Sequence, residues 1–105
     1  MKQIFYPQSS KYSVQDYSKL IKDTRTLLDF SSAEMAGALG VSPQAIYYWE
    51  SKRRKPSMPV IEWCLTVCQL VNCIKQRKLE INWQGLLLGF GLSGLVDVVL
   101  QELNS

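Results

Sequence analysis

Residues 31–56 read SSAEMAGALGVSPQAIYYWESKRRKP, and the local chemistry of this stretch decides the fold. Ser42 is a good helix N-cap because its hydroxyl can accept from an orphan backbone N–H of the first turn. Pro43 suits the first helical position, where its missing N–H has no intrahelical partner to lose. A helix is therefore predicted from Pro43 to Glu50. With successive residues about 100° apart, Ala45, Ile46 and Trp49 share one face, and Pro43, Gln44, Tyr47 and Tyr48 share the other. The apolar face can dock while the opposite face stays in solvent. Upstream, Ser31 or Ser32 can cap a helix over Ala33 to Leu39, and Gly40 supplies the positive φ that a sharp helix stop needs.

The exposed face carries an amide and two phenols where an ordinary surface helix shows Lys and Glu. Such groups can bond to base edges. Helix, glycine turn and helix is the arrangement by which many proteins place a second helix in a DNA major groove. Over roughly Leu20 to Leu70 the chain resembles the helix-turn-helix domains of phage repressors and Cro proteins, the Xre family. The residues that carry the resemblance are Arg25, the S-x-E-M-A of the second helix, the G-V-S turn, Ile46 and Trp49, and the closing E-S-K-R-R-K-P. It implies an all-α, five- to six-helix domain with a lambda-repressor-like helix-turn-helix core and a C-terminal helical extension. It also implies a structural ion pair between Arg25 and Glu50, since in the family an arginine on the first helix commonly pairs with the glutamate that ends the reading helix. One departure is visible: Lys52 stands where the family usually has glycine, so a left-handed backbone there would carry modest strain.

A chain of 105 residues with 47% hydrophobic and 20% charged content is expected to fold as one ordinary globular domain. Net charge is only +3, yet without the run Lys52-Arg53-Arg54-Lys55 the chain holds 8 basic against 9 acidic residues. The positive field is thus expected at the end of the reading helix, where phosphates would lie. The amino end, MKQIFYPQSS, has no apolar core or cleavage site of an export signal. Three cysteines, an odd number, point to a reducing cytoplasm rather than a disulfide framework.

Residues 1–12 read as an N-terminal arm, folded over the domain by Ile4, Phe5 and Tyr6 in preference to reaching into a minor groove. Ser13 can cap a first helix from Val14 to Asp29, with apolar residues at three- and four-residue spacing. Ser57 can cap a long helix that ends near Lys78 and completes a helix-turn-helix region over residues 13–78. That long helix is apolar nearly all round, so it needs cover on two sides. Its cysteines, Cys64, Cys68 and Cys73, fit no common zinc spacing, and with no histidine in the chain they read as core residues; no metal and no cofactor are expected.

Residues 79–105 read as C-terminal apolar helices. Two short ones are predicted, Trp83 to Phe90 and Gly94 to Leu103, capped by Asn82 and Ser93 and broken at Gly91. The apolar run from Gly85 to Leu100 falls short of the roughly 20 residues a membrane span needs, holds several glycines and is interrupted by Asp97, so no membrane is expected. Leu92, Leu95, Val96, Val99 and Leu103 form a stripe assigned to dimerisation.

With no histidine, no clustered carboxylate pair and no phosphate-cradling loop, an enzyme is not expected. The reading that fits is a cytoplasmic, homodimeric transcriptional regulator of the repressor type that binds double-stranded DNA. In it Gln44 bonds bidentately to adenine, Tyr47 and Tyr48 contact thymine methyls or base edges, and Pro43 lies with them on the base-contacting face. Ser32, Ser42, Lys52, Arg53, Arg54 and Lys55 meet phosphates, with Lys19 or Lys22 as further candidates. The alternative is an adaptor, such as an antitoxin or phage assembly factor, that holds a protein partner with the apolar C-terminal end.

Overall fold

The computed structural model describes residues 17–104, and the expected arm, the Ser13 cap and Val14 lie outside them. Five helices follow in order: α1 Tyr17–Leu28, α2 Ser32–Leu39, α3 Pro43–Glu50, α4 Met58–Arg77 and α5 Trp83–Leu103. There is no strand among the described residues. The fold is all-α, with the helix-turn-helix core and the C-terminal helical extension that the sequence implied.

The first four helices end in one recurring device. Each runs into a residue with positive φ, namely Asp29 (58°), Gly40 (74°), Lys52 (66°) and Lys78 (56°). At each, the next residue's N–H bonds back across the turn: Phe30 to Arg25, Val41 to Ala36, Arg53 to Tyr48 and Leu79 to Ile74, all at 2.9–3.1 Å. This six-to-one bond satisfies a carbonyl that the helix end would otherwise orphan. At the other end of α2, Ser31 is the cap: its hydroxyl accepts from Glu34 N while the Glu34 carboxylate accepts from Ser31 N, at 3.1 and 2.9 Å. Two orphan donors are satisfied reciprocally. Ser42 caps α3 as the sequence suggested, its hydroxyl accepting from Ala45 N at 3.2 Å. Ser57 precedes α4 in the extended conformation, but its side chain makes no cap hydrogen bond.

The core joins all five helices. Leu20, Ile21 and Leu28 of α1, Met35 of α2, Ile46 of α3 and Val67 and Val71 of α4 are essentially without solvent contact. Helix α1 packs on α3 and α4, and α5 packs on α4 and α2, so α4 is covered on two sides as its all-round apolar character requires. Cys64 and Cys68 are buried within this packing.

The carboxyl end meets one expectation and corrects another. Its two helical stretches are separated by a kink at Gly91, as the sequence suggested, where a φ of 77° and ψ of −172° are open only to glycine. The run of 21 residues is long and apolar enough to cross a membrane by length and composition. Leu87, Leu95 and Val99 nevertheless turn into the core. Leu95 and Val99, expected to face a partner subunit, are at 0% and 2% exposure and are spent on covering the chain's own core. Leu92 and Val96 are only half-buried, and Leu103 and Leu100 are open at 37% and 52%.

Candidate nucleic-acid interface

The turn at Gly40 and the cap at Ser42 fix the direction of α3, and burial fixes its rotation. Ile46 and Trp49 lie in the core. Pro43, Gln44 and Tyr47 are exposed, Tyr47 at 55%, and Tyr48 is half-buried at the edge. The face derived from the 3.6-residue period is therefore the face presented to solvent.

On that face the side chains are already paired. Gln44 Nε2 donates to the Tyr48 hydroxyl at 2.9 Å, one helical turn apart. The rings of Tyr47 and Tyr48 meet at a tilt, with centroids 5.9 Å apart. The basic loop then folds back beside them: the Arg53 guanidinium lies 5.6 Å from the Tyr47 ring centroid and that of Arg54 lies 5.2 Å from Tyr48. These are cation–π distances. Backbone bonds set this return, since both Arg53 N and Arg54 N donate to Tyr48 O, at 2.9 and 3.2 Å. The reading helix and the basic run thus form one surface.

Arg25 holds that surface to the rest of the domain. Its Nε and Nη2 donate to the two carboxylate oxygens of Glu50 at 2.7 and 3.0 Å, a two-pronged pair. Its Nη1 also donates to Phe30 O at 3.4 Å, so one guanidinium ties the end of α1 to the end of α3. The hydrogen bond to Glu50, helped by that residue's charge, raises the Arg25 pKa above its ordinary value against the opposing effect of burial. Glu50, the one acid of α3, is thereby neutralised beside the cations that follow it.

Lys52, Arg54 and Lys55 line an open cleft of about 230 Å³ together with Tyr17, Ser18, Trp49 and Pro56. Lys55 Nζ sits 5.9 Å from the Tyr17 ring centroid. Sequence reasoning gave neither Tyr17 nor Ser18 a role at the site. The signal was three-dimensional, because Tyr17 and Ser18 lie more than 30 residues before the basic loop in the chain. Ser32 opens α2 while Ser42 caps α3, so these two serines stand at the first turns of different helices. Lys19 is paired with Asp23 at 3.3 Å on the outside of α1.

Elsewhere, burial pushes the Cys64 thiol up to about 12, against the lowering effect of a hydrogen bond to Thr24. That keeps it an unreactive core group. Among the described residues no cluster of His, Cys, Asp or Glu could hold a metal ion.

A short helix, a left-handed turn and a second helix with its polar face outward define the DNA-reading class of helix-turn-helix proteins. Residues 21–65 match the helix-turn-helix family, a likeness that supports the resemblance to phage repressor and Cro-like (Xre) proteins. No curated protein and no solved structure matches the chain.

Proposed function

We propose that the protein is a sequence-specific, double-stranded DNA-binding transcriptional regulator that lays α3 in the major groove. The observation that carries this reading is the single surface on which Gln44, Tyr47 and Tyr48 stand beside Arg53 and Arg54. Base-edge groups and phosphate-binding cations are needed side by side for such readout, the first to specify and the second to position. Lys52 and Lys55 extend the phosphate contacts across the cleft, and Ser32 and Ser42 add hydroxyl donors at the starts of α2 and α3. Arg25 and Glu50 hold the angle between α1 and α3.

Two copies pairing through the uncovered part of α5 would present two reading helices about one DNA turn apart, roughly 34 Å, to a palindromic site. The residues available for this are Leu92, Val96, Leu100 and Leu103, which follow one another at helical spacing. The protein acts in the cytoplasm in this reading, as a repressor or another regulator of transcription. The same apolar arc favours the adaptor alternative if a different protein covers it.

Selection of bound duplexes from a random pool tests the proposal. It should return a sequence motif whose two halves are related by a dyad. Recovery of no motif above background would overturn the specific-binding reading, and a motif without symmetry would overturn the dimer.

A further inference from the structure

We infer that Tyr48 is a positioning residue for specificity, whose hydroxyl sets the Gln44 carboxamide in the orientation that reads adenine. The inference rests on the proposed major-groove placement of α3 and deepens it. A glutamine amide offers one carbonyl acceptor and two N–H donors, and an unattached one can turn either end toward a base. Here Nε2 donates to the Tyr48 hydroxyl at 2.9 Å. With one N–H so occupied, Gln44 is left with its carbonyl and a single N–H. That pair matches the N6–H donor and N7 acceptor on the major-groove edge of adenine. In the reversed orientation the carbonyl would accept from Tyr48 and both N–H groups would face outward, which suits the two acceptors of guanine.

The Tyr48 proton therefore decides which base is read. While that proton is donated outward, to a phosphate or a base oxygen, the hydroxyl can only accept from Gln44, and adenine is favoured. The ring itself is held in place, because Arg54 lies over it at 5.2 Å and the Tyr47 ring leans against it. The hydroxyl is thus presented at a fixed point one turn along α3 from Gln44.

Tyr48→Phe isolates the hydroxyl, since phenylalanine keeps the ring, its contact with Tyr47 and the stacking surface for Arg54. Affinities are to be measured for the duplex selected by the unmutated protein and for single-base variants at the position facing Gln44. The unmutated protein should prefer adenine over guanine there, and Tyr48→Phe should reduce that preference by about tenfold. Salt dependence and melting temperature should stay unchanged, because the cations and the ring packing are kept. Gln44→Ala should abolish the preference, and adding Tyr48→Phe to it should change nothing more. An unchanged adenine preference in Tyr48→Phe, or a full additive loss in the double variant, would overturn the inference. A protein that binds no duplex even at low salt would instead overturn the DNA-reading proposal beneath it.

Discussion

Helices α2 and α3 end in the same geometry with different residues. Gly40 at φ 74° and Lys52 at φ 66° each close a helix with the same backbone bond across the turn. Glycine takes that conformation freely, whereas a residue with a Cβ gives up about 1–2 kcal/mol. Strain alone does not mark function, since Asp29 and Lys78 adopt the same conformation at the ends of α1 and α4. What separates Lys52 is its surroundings. It lines the cleft with Arg54 and Lys55, two residues beyond the Glu50 that Arg25 grips. The first turn redirects the chain, while the second projects a cation from a tethered helix end.

The largest way to break the comparison is to put a branched side chain in the unstrained turn. Gly40→Val should lower stability by about 2 kcal/mol in urea unfolding, because a β-branched residue is poorly accommodated at that φ. Removing the tether comes next. Glu50→Ala leaves the Arg25 guanidinium without its carboxylate partner and should cost about 1–2 kcal/mol, less than a fully buried pair because Arg25 remains 29% exposed. The same variant should also loosen the Lys52 turn, seen as faster amide exchange at Arg53 and Arg54.

A smaller effect sharpens the contrast between the strained turns. Lys52→Gly should gain up to about 1 kcal/mol of stability by relieving the left-handed backbone, while weakening DNA binding and flattening its salt dependence by about one unit. Lys78→Gly should show a similar gain with no change in DNA affinity. If both variants left binding unchanged, Lys52 would be no different from Lys78.

Much of the reading unit was legible because it is set within a few residues. Ser42 and Pro43 start α3, Gly40 stops α2, and the spacing of Ile46 and Trp49 fixes which face is outside. The i, i+4 bond between Gln44 and Tyr48 was within reach of the same reasoning and went unread. The Arg25–Glu50 pair spans 25 residues and came only from the family resemblance. At the carboxyl end Gly91 marked the break, but an apolar arc carries no sign of which half the domain will cover. Leu95 and Val99 went inward while Leu100 stayed out. The left-handed backbones of Asp29 and Lys78 went unread: an aspartate favours that region only weakly, and a lysine side chain gives no sign of it.

Salt dependence of duplex binding tests the central claim most directly, that α3 and the basic run after it form one DNA-binding surface. Four phosphate contacts from Lys52, Arg53, Arg54 and Lys55 predict a slope of log affinity against log salt of about −3.6 for one protomer, and roughly double that for a pair on a palindrome. A slope near zero, or no binding at low salt, would contradict it.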